Sequence, residues 1–328
     1  MPVTDRDPAV LEAAPDVWRI TATMPYRPRS VHAYLVRGEG GWMLLDGGID
    51  AEAAWRVVDR AVRELAGGWS SVGVQLVSHM HGDHIGLLRR VIASAETAIV
   101  MGGLDAARAA HAAADPGEEA EYRADLLRRC GAPDDFVRTI AAPAAQPPDP
   151  FPHVAHPLDT ARAELPGSPD WTAISTPGHT AGHTSFFRDR DRVLLAGDAI
   201  LPRITPTIGV NRQREDPVGD YLQTLDRLEA LDPTIALCGH GDPLRDPRRR
   251  ISELRSETRS ETERVEAALG SDPLTVWQIT ERRYAGRDLP VGPRMLALRE
   301  TLAHLEHLRT RGAVNRETRS GGDRFSRD

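Results

Sequence analysis

The chain has 328 residues, room for a core domain and an appended one, and a composition (40% hydrophobic, 27% charged) that belongs to globular rather than disordered or membrane-spanning proteins. A net charge of -7 sets the whole-molecule field against nucleic acid and other polyanions. All 41 basic residues are arginine, which excludes a Schiff-base lysine and the lysine of a P-loop.

The opening stretch, MPVTDRDPAVLEAAPDVW, has no basic patch followed by an apolar core, and no later run approaches the roughly 20 apolar residues of a membrane span. A cytoplasmic protein is expected, with Cys130 and Cys238 as free thiols. Residues 17–46 alternate as strands, in VWRITAT, VHAYLVRG and GWMLLDGG, with GEGG as a hairpin turn. Ala51 to Leu65 has helical periodicity. VGVQLV (Val72 to Val77) reads as a buried strand running into SHMHGDHIG, followed by a helix in IGLLRRVIAS and a strand in AIVMG. Residues 104–160 break the rhythm: acidic turns such as DPGEEAEY, then the Pro-rich PAAQPPDPFPHVAHP. This predicts a helical insertion and an irregular loop, either a lid or a variable surface excursion. Strands resume in WTAISTPG, HTSFFRD, RVLLAGD and TIALCGHG, with a helix in YLQTLDRLEAL. Arg250 to Leu269 reads as a charged helix stopped by Gly270. PLTVWQITERRYA, RMLALRETLAHLEHLRTRG and AVNRETRSGGDRFSRD then give helix, helix and two short strands, a winged-helix-like order. The expected domains are 1–248, carrying the insertion, and 249–328.

The chemistry concentrates in SHMHGDHIG. Residues two apart on an extended segment point the same way, so His79 and His81 can address one metal. Gly82 permits a sharp turn, which sends Asp83 and His84 towards a second ion. Imidazole and carboxylate together suit zinc. Distant partners stand at the ends of apolar strands: His179 in STPGHTAGH, Asp198 in VLLAGDAI and His240 in ALCGHGDP. Each alone is a weak signal; together they point to one site.

In their order, LLDGG with Asp46, HMHGDH, TPGHTAGH, GD and GHG, these motifs resemble the metallo-β-lactamase superfamily over about residues 15–245. The resemblance implies an α+β fold, a four-layer αββα sandwich with two metals at one edge. It implies His79, His81 and His179 at the first metal and Asp83, His84 and His240 at the second, with Asp198 bridging. Asp46 and His183 are expected behind the ligands, orienting them. His32, His153, His156 and Cys238 are expected outside the site.

Two zinc ions would generate a hydroxide nucleophile between them, with Asp83 as its orienting group and proton acceptor. Hydrolysis of a small acyl ester or thioester, CoA- or carrier-bound, is the expected reaction. Asp198 argues against a true β-lactamase, and His240-Gly241-Asp242 departs from the His-Glu-Tyr of glyoxalase II. The alternatives are a lactamase-like endoribonuclease and an iron-dependent sulfur dioxygenase. Against the first, residues 250–328 hold 15 arginines and 13 acids, nearly balanced. The expected partner is a small molecule, without nucleic acid or membrane; self-association as a homodimer is left open.

Overall fold

Alternate residues of the N-terminal strands serve two different interfaces. The computed structural model, which describes residues 9–142 and 150–328, sets seven strands side by side in chain order. They are β1 (Val10–Ala14), β2 (Val17–Thr23), β3 (Ser30–Gly38), β4 (Gly41–Leu45), β5 (Val72–Val77), β6 (Ala98–Gly102) and β7 (His156–Leu158). Val31, Ala33 and Leu35 of β3 pack on Ala54, Val58 and Val62 of α1 (Glu52–Ala66). Tyr34 and Val36, from the same strand, point instead to the gap between the two large sheets. Pairing is antiparallel through β4 and parallel from β4 to β7. The residues that follow β4 and β5 therefore emerge at the same edge.

The turn after β5 differs from expectation. Gly82 has ordinary helical geometry and opens the short α2 (Gly82–Ile85), followed by α3 (Leu88–Ser94). The change of direction is made at His81, which is extended (φ -69°, ψ 146°), so the helix start rather than a glycine turn reorients Asp83 and His84.

The insertion is helical: α4 (Gly103–Ala114), α5 (Pro116–Arg129) and α6 (Asp134–Ile140). DPGEEAEY, expected as a turn, is the start of α5. Asp115 accepts the Glu118 N–H at 2.8 Å, and Pro116 takes the first helical position, where no N–H is needed. Residues 143–149, the first part of the Pro-rich loop, lie outside the described residues.

A second sheet has the order β12-β11-β10-β9-β8: β8 (Arg162–Leu165), β9 (Ser168–Ser175), β10 (Thr184–Arg188), β11 (Val193–Gly197) and β12 (Ile235–Cys238). Val193, Leu195, Phe186 and Trp171 face the first sheet. Phe187, Leu194 and Ala196 face α7 (Pro217–Leu231). The layering is helix, sheet, sheet, helix, the expected αββα arrangement.

Beyond it stand α8 (Pro247–Ala267), β13 (Leu274–Thr275), α9 (Val276–Arg283), α10 (Val291–Thr310), β14 (Val314–Arg319) and β15 (Gly322–Arg327), with a small sheet in the order β13-β15-β14. α7 and α8 begin as α5 does, with Asp216-Pro217 and Asp246-Pro247. α8 ends at Ala267, before Gly270, so that glycine is not its stop signal. Val265, Ile279, Leu298 and Phe325 share one apolar cluster with Leu127 of α5 and Leu225 of α7. A single core thus crosses the expected boundary at 249. Asp216 adds a polar tie, accepting from His307 Nδ1 at 2.9 Å and Thr310 Oγ1 at 3.2 Å on α10.

Candidate metal centre

All the chemistry-bearing residues singled out by the motifs lie at one edge of the sandwich. Asp46 follows β4, His79 follows β5, and Asp198 and His240 follow β11 and β12. His179 and His183 sit between β9 and β10. The donor atoms of His79, His81 and His179 lie within 4.8 Å of one another, as do those of His79, His84 and Asp198, and those of Asp83, His84 and His240. His79 Nε2 and His179 Nε2 are each 3.0 Å from His81 Nδ1.

The backbone and a few buried polar groups aim these rings. His179 Nδ1 is 2.9 Å from the Thr207 carbonyl and His240 Nδ1 is 2.7 Å from that of Ser30. A carbonyl only accepts, so both rings carry the proton on Nδ1 and turn Nε2 inward. His84 Nδ1 donates to Asp46 Oδ2 at 2.8 Å. The same oxygen accepts the Ser78 hydroxyl at 2.7 Å, which leaves Ser78 Oγ free to accept from His79 Nδ1 at 3.0 Å. Asp46 Oδ1 takes the Ser78 N–H at 2.8 Å. Asp46 does this from a left-handed backbone (φ 55°), strained for a residue with a side chain. His183 stands behind the centre with both ring nitrogens engaged: Nδ1 is 2.7 Å from Thr176 Oγ1, and Nε2 accepts the Asp198 N–H at 3.0 Å.

Two carboxylates among five imidazoles govern the electrostatics. Burial would raise Asp198, yet His84, His240 and His179 hold it well below the usual carboxylate range. Asp83 is also lowered, burial opposing and His240 and His84 prevailing. His240 is raised to about 10: its burial works against the charge, and Asp198 and Asp83 outweigh it. His84 rises in the same way, against burial, through Asp198 and Asp46. Burial above all lowers His79, His179 and His81, the last to about 3, which favours the neutral form that binds metal.

Two buried atoms test whether a cation fits. Among the described residues His84 Nε2 and Asp198 Oδ1 have no hydrogen-bond partner, and they lie 3.6 Å apart. Against burial, the carboxylates draw His84 towards its protonated form, and a divalent ion in place of that proton would satisfy both atoms. The N/O donor set suits zinc or iron.

Several residues that build the site carried no flag in the motifs. His32 donates from Nε2 to the Gly241 carbonyl (2.8 Å) and from its N–H to the Gly239 carbonyl (2.8 Å), and Tyr34 OH donates to the Cys238 carbonyl (2.6 Å). Two polar residues two apart in an apolar strand were the available signal. Asp105, in the first turn of α4, accepts from Met80 N–H (3.1 Å), Thr180 Oγ1 (2.6 Å) and Gly182 N–H (2.7 Å), joining the two histidine loops. Nothing in the sequence around it marks that role. Cys238 is buried, with its carbonyl rather than its thiol turned to Tyr34; His153 and His156 are exposed.

Comparison with known proteins agrees with this geometry. The family model of the metallo-beta-lactamase superfamily matches residues 26–240. The probable metallo-hydrolase YqjP of Bacillus subtilis is 25% identical, over 91% of this chain and 94% of its own. The metallo-beta-lactamase family protein TTHA1429 of Thermus thermophilus is 30% identical with a TM-score of 0.80, covering 96% of this chain and 99% of its own. A beta-lactamase domain protein from Burkholderia ambifaria superposes with a TM-score of 0.84 at 26% identity, covering 99% of this chain and 97% of its own. A hydroxyacylglutathione hydrolase of Bartonella henselae is 33% identical over 89 residues, 27% of this chain and 33% of its own. On fold, motif order and these matches together, the chain belongs to the metallo-beta-lactamase superfamily of metallo-hydrolases.

Proposed function

We propose that the protein is a dizinc hydrolase of small acyl thioesters or esters. The observation that carries this reading is the pair of donor sets, His79/His81/His179 and Asp83/His84/His240, adjoining across Asp198. The partial match to a hydroxyacylglutathione hydrolase supports the thioester class. When bound, the two metals supply Lewis acidity for the carbonyl oxygen and a hydrolytic nucleophile at neutral pH.

The chain's own groups do the rest. Asp46, Ser78, Thr207 and Ser30 lock the ring tautomers, so that inward nitrogens need no reorganisation. Asp83 is the most open of the acids, with its side chain 19% exposed against 7% for Asp198. We assign it the proton released as water adds to the carbonyl. His240 Nε2 lies 3.4 Å from Asp83 Oδ2, so the two side chains converge on one inward position. We read residues 249–328 as a winged-helix-like module that walls the substrate mouth rather than binding nucleic acid.

The test is metal analysis of the purified protein together with a panel of acyl-CoA thioesters, an aryl ester, a cephalosporin and single-stranded RNA. Two equivalents of zinc and turnover confined to the thioesters and esters are expected, with His79→Ala and Asp198→Ala losing both metal and turnover. RNA cleavage without acyl hydrolysis, or one iron with oxygen uptake on a persulfide, would replace the reading.

A further inference from the structure

A second feature opens beside the metal centre. A cleft of about 210 Å³, partly open to solvent, is lined by His81 and His179 together with four arginines: Arg108, Arg123, Arg212 and Arg299. Its walls come from α4, α5, the loop at 209–213 and α10, so the insertion and the C-terminal region build it jointly. Two carboxylates line it as well, Asp105 and Glu119. Asp105 is already spent on its three donors, and Glu119 pairs with Arg108.

The guanidinium groups are held in place but not used up. Tyr122 is their shelf: the Arg212 Cζ lies 3.7 Å from its ring centre and the Arg108 Cζ 6.0 Å. Glu118 fixes Arg212 from outside the cleft at 2.8 Å. Arg299 donates to the Val210 carbonyl at 2.9 Å and lies against Gly209, where a Cβ would come within 3.3 Å of its Nε. Arg108 Nη1 and Arg123 Nε are buried with no hydrogen-bond partner among the described residues. Buried donors without acceptors are rare in native proteins and call for one. Burial lowers the pKa of Arg299, with Arg108 adding to it and Tyr122 and Glu119 acting against it; an arriving anion would offset the repulsion between the two arginines.

We propose that this cleft binds an anionic group on the substrate, a phosphate or carboxylate remote from the scissile carbonyl, through Arg108, Arg212 and Arg299. Planar guanidinium forks recognise such oxyanions with paired donors. The carbonyl then falls at the His81/His179 end. The proposal rests on the hydrolase reading and narrows its substrate to charged acyl carriers.

Two measurements test it, each on the full-length protein. The first is calorimetric titration of pyrophosphate and of succinate, with and without metal. Wild type should bind one of them at one site even without metal, and Arg299→Gln should weaken that binding at least about tenfold, with Arg299→Lys in between. Preference for pyrophosphate assigns a phosphorylated carrier; preference for succinate assigns a carboxylated one. The second compares kcat/KM for acetyl-CoA, S-acetylglutathione and the neutral S-acetyl-N-acetylcysteamine. The ratio of charged to neutral substrate should fall at least about tenfold in Arg299→Gln. Arg108→Gln serves as the second variant if that one does not fold. An unchanged ratio, or no anion binding by metal-free wild type at millimolar concentration, overturns the proposal and leaves the arginines as a brace for α5. If neither a thioester nor an ester is turned over yet arginine-dependent anion binding persists, the hydrolase reading fails and the anion site stands.

Discussion

Asp105→Ala removes one carboxylate and releases three donors, the N–H groups of Met80 and Gly182 and the hydroxyl of Thr180. A hydrogen bond to a charged group contributes about 1.5–3 kcal/mol, so the gross loss is about 4.5–9 kcal/mol. The variant also no longer buries a carboxylate whose pKa burial already raises, which offsets several kcal/mol. A net destabilisation of about 2–4 kcal/mol remains. The effect on the metal centre is separate. Met80 lies between His79 and His81, and Thr180 adjoins His179, so releasing them loosens three rings at once. A loss of about 10–100-fold in metal affinity is expected, as when outer partners of ligands are removed. Asp105→Asn keeps one acceptor oxygen and should fall between wild type and the alanine variant on both scales. Urea unfolding of metal-free protein reads the first quantity, and competition with a chromogenic chelator reads the second. An alanine variant that matches wild type in urea midpoint and metal affinity would refute the coupling of the two loops through Asp105.

Two further outcomes are expected. At Gly239 a Cβ would lie 2.2 Å from Asp198 Oδ1 and 2.7 Å from His84 Cε1, so Gly239→Ala should cut turnover at least about tenfold with an unchanged circular dichroism spectrum; wild-type turnover would show that these groups can shift freely. His304, buried against α8 with its Nδ1 2.9 Å from Thr262 Oγ1, has its pKa lowered from 6.5 to about 3, by burial first and then by Arg283, His307 and Arg264, against Asp216. The unfolded chain therefore takes up a proton that the folded chain refuses, so stability is complete above the ordinary imidazole value and is lost as pH falls towards 3. At about pH 5 this loss is on the order of 2 kcal/mol, and His304→Gln should show a correspondingly smaller drop in urea midpoint between about pH 8 and about pH 5 than wild type. Equal drops would mean that His304 is not the group responsible.

Asp46, His79, Asp198 and His240 are legible because each follows the end of an apolar strand, where a polar ligand type has no packing reason to be; His81, Asp83, His84 and His179 are legible from their spacing within the histidine motifs. The layering is legible for a related reason: β3 and β11 alternate two apolar sets, and buried strands need both. Other features are hidden by their generality. An Asp-Pro pair reads equally as a turn or as a helix start, and only the later residues of α5 decide for the helix. Asp105 acts across 25 residues to Met80 and 75 to Thr180, a separation without local periodicity. Gly239 matters for the absence of a side chain beside Asp198, which depends on packing alone. The boundary at 249 follows a change of composition, whereas the core that crosses it is set by apolar faces scattered over the second half of the chain.

That continuous core also orders the events of synthesis. Chains emerge from the ribosome N-terminal end first, so every residue from Asp46 to His240 is available before α10 is made. The metal centre and its mouth are therefore completed at different times. The two sheets can close around the ligands while Leu127 and Leu225 still present an uncovered apolar surface. Only when α10 docks, with His307 and Thr310 caught by Asp216, does Arg299 arrive beside Arg108 and Arg212. A chain stopped short of α10 would carry the metal-site loops without the Met295 and Arg299 side of the cleft beside them.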